Sequence, residues 1–236
     1  MLPQDELKQR AGVYAADFVT GGAPIGLGTG STVSWLIDEL ARRVSQGLQL
    51  EIVPTSAQTA ALAAAAGITV RSLDEIDRLS LTIDGADEID PAGALIKGGG
   101  GALLQEKIVA SASGELIIIA DGSKLVKQLG KFPLPVEVIT FGWHQTRDRI
   151  LDTGFCVEAR LRQKEGRNFV TDHGHFILDC YCGAIQDPSR VNTVMHLIPG
   201  VVETGLFINM ATRAIIGYPD GKIEEIEFRK EQVVIR

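Results

Sequence analysis

Between residues 25 and 120, short apolar runs alternate with stretches of helical periodicity, and no other feature restricts the fold of this chain as much. The pattern predicts strands over 25–27, 50–53, 68–70, 79–83 and 115–120, and helices over 32–44, 57–66 and 102–113, with a short helical piece near Asp74. Strands that alternate with helices in this way predict a parallel sheet covered by helices on both faces. The run Glu-Leu-Ile-Ile-Ile-Ala at 115–120 is almost continuously apolar, as a strand buried on both sides must be. Ahead of the first strand, Leu7, Ala11, Tyr14 and Phe18 recur at helical spacing and predict an amphipathic helix over 4–19, stopped by Thr20-Gly21-Gly22.

The rhythm changes at Lys131-Phe-Pro-Leu-Pro, where two closely spaced prolines predict a domain crossing. Beyond it the pattern predicts strand 136–140, helix 144–152, strand 155–162, strand 169–182 broken near His173-Gly174, helix 188–197 and strand 201–208. That order, β-α-β-β-α-β, is ferredoxin-like. In 155–162 the apolar Phe155, Val157, Ala159 and Leu161 alternate with Cys156, Glu158, Arg160 and Arg162, which predicts one packed and one wet face. The tail, 214–236, returns to short apolar runs around Pro219-Asp220-Gly221 and is expected to rejoin the first domain. The fold class is therefore α/β: a doubly wound, mostly parallel Rossmann-like sheet with a second, smaller ferredoxin-like domain. The expected boundaries are 1–130 plus 209–236, and 131–208.

Charge and composition remove several function classes. The formal net charge is −7, and the basic residues form no stripe, so the electrostatic footprint of a nucleic-acid binder is missing. No apolar run approaches the ~20 residues that span a bilayer, and MLPQDELKQR lacks the apolar core of a signal peptide, so no membrane association and a cytoplasmic location are expected. Cys156, Cys180 and Cys182 are odd in number and too few for a disulfide framework; free thiols are expected.

Ligands of a doubly wound sheet bind beyond the carboxyl ends of its strands. Five predicted strand ends run into polar or glycine-rich loops: Gly26 to Thr32, Pro54-Thr-Ser, Asp84-Gly85-Ala86-Asp87, Lys97 with Gly98 to Gly101, and Asp121-Gly-Ser-Lys124. The first has Ser31 where a dinucleotide fingerprint needs its third glycine, and no acidic residue ends the second strand, so NAD is disfavoured. It offers the N–H groups and hydroxyls of Thr29, Gly30, Ser31 and Thr32 at a helix start, which suits a phosphate; the alternative is a capped glycine turn. Lys124 strengthens the phosphate reading, and Lys8 joins it if the entry helix overhangs the loop. The Asp84–Asp87 turn is either a solvated acidic loop, a grip on sugar hydroxyls opposite Lys97, or, with Glu88 or Asp90, a divalent-metal site. No histidine lies within 82–107, and His173 and His175 fall in the second domain, so a metal is not expected. Gly98, Gly99 and Gly100 let a substrate approach the backbone and can turn N–H groups toward an oxyanion. Glu106, about one turn into the following helix, is either an exposed glutamate or a general base.

In combination these segments resemble the ribose-5-phosphate isomerase A family. GTGST (28–32), DGADE (84–88), IKGGGGALLQEKI (96–108), ADGSK (120–124), LGKFPLPVEV (129–138), VTDHGHFILD (170–179) and IPGVVETGLF (198–207) follow one another as in that family and cover nearly the whole chain. The resemblance implies interconversion of D-ribose 5-phosphate and D-ribulose 5-phosphate through a cis-enediolate, without metal or organic cofactor, in the non-oxidative branch of the pentose phosphate pathway. It implies Glu106 as general base and Asp84, Asp87 and Lys97 as the groups handling hydroxyl protons and the enediolate. Gly85, Ala86 and Gly98 to Gly100 would touch the sugar; Thr29 to Thr32, Lys124 and Lys8 would hold the phosphate. It also implies a homodimer or homotetramer assembled through the second domain. Two rivals remain: an acyl-CoA transferase with a nucleophilic glutamate, opposed by the Asp84–Asp87 turn and Lys97, and a non-catalytic sugar-phosphate sensor, which could dispense with Glu106.

Overall fold

The computed structural model describes residues 2–228, so the end of the expected tail, 229–236, lies outside the described residues. The chain forms two units. One takes the residues up to Gly85, Gln105–Lys124 and the stretch from Asn209; the other takes Ala86–Leu104 and Leu125–Ile208.

The first unit is built on a seven-stranded sheet in the order Ile223–Glu227, Arg213–Gly217, Ser113–Asp121, Leu79–Asp84, Ile25–Leu27, Glu51–Pro54, Thr69–Val70. Every pair is parallel except the outermost, Arg213–Gly217 with Ile223–Glu227. Ser113–Asp121 lies centrally and is buried from Leu116 onward, as its apolar run requires. Helices α1 (Gln4–Ala15), α2 (Ser31–Ser45) and α3 (Ala57–Ala65) contribute to a core around Leu27, Leu36, Leu40, Ile52, Ile83, Ile117 and Ile215. Helix α4 (Leu103–Ser111) places Val109 in a separate apolar cluster with Val53 and Leu79. Gly26 allows this packing, since a Cβ there would lie 1.9 Å from Thr82 Oγ1 and 2.6 Å from Val109 Cγ1.

The second unit holds a four-stranded antiparallel sheet in the order Val201–Thr204, Leu134–Val138, Phe176–Tyr181, Glu158–Leu161, with helices α5 (Trp143–Asp152) and α6 (Pro188–His196). Chain order and sheet order are both ferredoxin-like. The unit is larger than the prolines suggest. Residues 86–104 join it because Glu88–Ile89 and Leu95–Ile96 pair antiparallel with each other, and Leu95–Ile96 pairs with Leu206–Phe207. The strand ending at Ile96 is thus no part of the large sheet, and only four of the five expected loops follow its strands. Residues 125–130 also belong here: Val126 N–H bonds Ile89 O at 3.0 Å, and Glu88 accepts the N–H groups of Gly130 (2.7 Å) and Phe132 (2.6 Å). Pro135, expected in a linker, lies inside an interior strand, where its carbonyl accepts Gly205 N–H at 2.7 Å. It occupies the strand's second residue, near the end where the missing N–H is best tolerated.

The alternation expected over 155–162 holds only from Glu158, where the strand begins. Ala159 is buried, but Val157 is exposed while Cys156 points inward. Cys156 and Cys182, 26 residues apart, are joined by a disulfide, which corrects the expectation of three free thiols. The register is the reason. Tyr181 pairs with Glu158 and Val157 N–H bonds Tyr181 O, so the residues flanking this pair are brought side by side. Cys180 remains a free thiol; burial pushes its pKa up to about 12. His175 bonds the buried Glu137 through Nδ1 at 3.0 Å, and Thr171 Oγ1 donates to the same carboxylate at 2.9 Å, while His173 is exposed.

Candidate active site

The unit boundary cuts through the predicted site residues. Thr29 to Thr32, Asp84, Gly85, Glu106, Lys124 and Lys8 belong to the first unit; Ala86, Asp87, Lys97 and Gly98 to Gly100 belong to the second.

In the first unit, the loop after Ile25–Leu27 is bound to the end of the neighbouring strand. Gly28 N–H donates to Ile83 O at 2.9 Å. Asp84 Oδ1 accepts the N–H groups of Thr29 (3.1 Å) and Gly85 (2.7 Å). Gly28 has to be glycine, since a Cβ would come within 1.9 Å of Asp84 Oδ1. Asp84 is buried, as a carboxylate held by backbone donors can be.

The hydroxyl of Thr29 lies within a group of three others, at 2.8 Å from Thr55, 2.8 Å from Ser56 and 3.1 Å from Thr59. Proton accounting gives the group a direction. Thr29 donates to Ser56, Ser56 to Thr59, and Thr59 to Gly28 O, so Thr55 donates to Thr29. Both donors of Thr29, offered to phosphate by the sequence, are therefore engaged within the unit. What remains outward is the start of α2. Gly30 is its N-cap at φ 123°, no side chain caps it, and Ser34 is the first residue to close a helical turn, onto Gly30 O. The N–H groups of Ser31 and Thr32 precede that first bond, and helix ends of this kind accept anions.

Glu106 sits in the first turn of α4 and is 5 % exposed, against the exposed glutamate that spacing alone allows. Leu103, Glu106, Val109 and Ala110 form the buried stripe of this helix at spacings of three and four, with Glu106 its one carboxylate. Gln105 fixes the helix further, its amide donating to Pro54 O at 3.0 Å. Lys124 closes the 3₁₀ turn after Ser113–Asp121, and Lys8 Nζ lies 3.8 Å from Asp5 Oδ1 on α1. Burial would raise the carboxyl pKa of Asp121, but hydrogen bonds from Ser123 and Gln4 and the charge of Lys124 hold it below its ordinary value.

In the second unit, Asp87 accepts Gly99 N–H at 2.7 Å, and a Cβ on Gly99 would approach Asp87 Oδ1 to 2.6 Å. Gly98 and Gly101 have φ of 105° and 87°, the region that glycine occupies without strain. Lys97 is 3 % exposed, with its ammonium 5.4 Å from the centre of the Phe207 ring. Glu88 is taken up by the Gly130 and Phe132 N–H groups, and Asp90 by those of Ala92 and Ala94 at 2.9 Å each, so both are turn and scaffold residues. Among the described residues, no group of three or more His, Cys, Asp or Glu is arranged to hold a metal ion, and no helix is long and apolar enough to cross a membrane.

The model of the family described as ribose 5-phosphate isomerase A (phosphoriboisomerase A) matches residues 51–221. A ribose-5-phosphate isomerase A of Bacillus mycoides (strain KBAB4) is 58 % identical over 216 residues, which cover 91 % of this chain and 97 % of that protein. One of Rhodopseudomonas palustris (strain TIE-1) is 52 % identical over 226 residues, 93 % of this chain and 97 % of its own. Among solved structures, ribose 5-phosphate isomerase from Plasmodium falciparum superposes with a TM-score of 0.92 at 36 % identity, covering 95 % of this chain and 99 % of that one. A D-ribose-5-phosphate isomerase in complex with phospho-erythronic acid matches equally well, with a TM-score of 0.92 at 36 % identity over 96 % of this chain and 100 % of that one. A family match over most of the chain and relatives more than half identical along nearly their full length lead to one conclusion: the chain belongs to the ribose 5-phosphate isomerase A family.

Proposed function

We propose that the chain interconverts D-ribose 5-phosphate and D-ribulose 5-phosphate with Glu106 as the single base. The observation that carries the reading is the position of Glu106, a carboxylate on the buried stripe of a helix that begins just after the glycine turn. Phospho-erythronic acid, bound by a relative, supports the substrate: it is a phosphorylated four-carbon acid whose planar carboxylate resembles an enediolate.

In the opened aldose, Glu106 takes the C2 proton. The C2–H electrons form the C1=C2 bond, and negative charge moves onto O1. The same carboxyl group returns a proton to C1 on the same face while C2=O forms, so the net hydroxyl transfer is one proton from O2 to O1. Asp84, Asp87 and Lys97 handle that proton and ring opening, and the Gly100 N–H receives the enediolate charge, since the N–H groups of Lys97 and Gly99 already go to Gly205 O and Asp87. Gly85 and Ala86 line the sugar. The phosphate lies on Gly30, Ser31 and Thr32 at the start of α2, with Thr29 holding the loop and Lys124 and Lys8 supplying positive charge. No metal or organic cofactor takes part. A cytoplasmic site of action suits a phosphorylated sugar, which does not cross a bilayer unaided. The second unit joins copies into a homodimer or homotetramer, which its exposed Phe141, Val157 and Leu197 support.

Incubation with ribose 5-phosphate in deuterated water tests the chemistry. The product is ribulose 5-phosphate, with solvent deuterium at the transferred position wherever exchange competes with transfer. Glu106→Gln loses at least ~10³-fold in turnover, the scale of a removed general base. A Gln variant with wild-type turnover takes Glu106 out of the mechanism. A chelator leaves the rate unchanged; loss restored by zinc or magnesium contradicts the metal-free reading.

A further inference from the structure

We propose that Arg162 is a positioning residue for the isomerisation, fixing the glycine turn so that Gly100 N–H is presented to the enediolate. This rests on the proposed role of that turn. Arg162 lies 63 residues beyond Gly99 in the chain, at the end of Glu158–Leu161 in the second unit. Its backbone is held on both sides: its N–H donates to Ile177 O at 2.8 Å, and its carbonyl accepts Phe169 N–H at 2.9 Å.

The guanidinium divides its donors between two tasks. One edge grips Asp179: Nε donates to Oδ2 at 3.0 Å and Nη2 to Oδ1. The remaining nitrogen, Nη1, donates to Gly98 O at 2.6 Å and Gly99 O at 3.2 Å. Both side chains are largely buried, at 13 % and 18 % exposed, so the pair is well shielded from water. Lysine has no planar fork and cannot reproduce both contacts together.

Peptide planarity converts these contacts into a direction for the N–H groups. In a trans peptide the carbonyl and the following N–H point opposite ways. Holding Gly98 O therefore turns Gly99 N–H away from Arg162, and Asp87 accepts it at 2.7 Å. Holding Gly99 O turns Gly100 N–H away in the same manner, and that group makes no hydrogen bond among the described residues. Phe169, bonded to Arg162 through the backbone, closes the far end: a Cβ on Gly101 would fall 2.4 Å from Phe169 Cζ. The turn is thus fixed from behind, with one N–H committed to Asp87 and the next left for an anionic oxygen.

Kinetics of Arg162→Lys and Arg162→Ala with ribose 5-phosphate test this, with wild type and Glu106→Gln in the same assay. The expected result is a fall in kcat of about 10²-fold, the scale for a donor displaced by a fraction of its length, with KM within about threefold because the phosphate grip is untouched. Inhibition by phospho-erythronic acid weakens by a similar factor, since it carries the planar anionic group. Millimolar guanidinium restores part of the kcat of Arg162→Ala and none of that of Glu106→Gln. If the Ala variant does not fold, Arg162→Lys decides, with its melting temperature as the check on folding. A folded Lys variant with wild-type kcat overturns the proposal, as does a loss that appears equally in KM or that tracks melting alone. A wild-type protein inactive on ribose 5-phosphate sinks the functional reading and the proposal with it; an active wild type beside a dead Glu106→Gln leaves that reading intact whatever Arg162 does.

Discussion

Lys124 follows Asp121 by three residues on the edge where the strands of the first unit end, and its charge already contributes to holding the Asp121 carboxyl below its ordinary value. If it also meets the phosphate, Lys124→Ala raises KM for ribose 5-phosphate about tenfold or more and changes kcat less, because the ammonium is equally near the phosphate in ground and transition states. Unchanged KM and kcat/KM in steady-state assays remove it from the phosphate site. Residue identities of this kind are legible in a sequence; what a residue is already bonded to is not. Thr29 reads as a phosphate ligand, yet its N–H goes to Asp84 and its hydroxyl proton to Ser56, from segments 55 and 27 residues away. Arg162 carries no sequence signal at all, since it reads as one more polar residue of an alternating strand.

At the scale of elements, α2 is tied to the 3₁₀ turn that follows α1, Ala16–Phe18, through a glutamate held by two arginines. Glu39 is held by hydrogen bonds from Arg42 and then Arg43, against the opposing effect of burial, so its carboxyl falls from 4.5 to about 2. Arg43 carries the link onward, donating to Ala16 O at 2.8 Å and to Asp17 at 2.6 Å. A carboxyl whose folded pKa is depressed stabilises the fold above its unfolded pKa and loses that contribution as pH falls through the folded value. Glu39→Gln therefore lowers Tm at pH 7 by about 2–4 °C, for roughly 1 kcal/mol after solvent screening. The gap to wild type closes between pH 4.5 and about 2, which thermal melts across that range measure. Element types were readable from periodicity, and helix and strand bounds mostly agree within one or two residues. The larger differences are four: the helix expected over 4–19 ends at Ala15 and passes into a 3₁₀ turn, the strand expected over 155–162 starts at Glu158, that expected over 169–182 is confined to Phe176–Tyr181, and the run at 201–208 breaks at Gly205, where a Cβ would sit 2.3 Å from Lys97 O.

For the molecule as a whole, the second unit leaves Phe141, Val157 and Leu197 at 89 %, 91 % and 76 % exposed, large apolar groups whose hydration an association would relieve. A double change, Val157→Asp with Leu197→Asp, is expected to shift the solution mass toward the monomer in sedimentation or light scattering. The same mass for wild type and variant takes these residues out of any interface. The α/β class, the ferredoxin-like insert and the family are legible along the chain, because periodicity and motif order are local properties. Long-range pairing and packing put residues 86–104 in the second unit, Glu106 on a buried stripe, Cys156 against Cys182 and Arg162 behind the glycine turn. Each of these depends on strand register or packing between residues far apart in sequence, and no local pattern encodes the partner across such a gap.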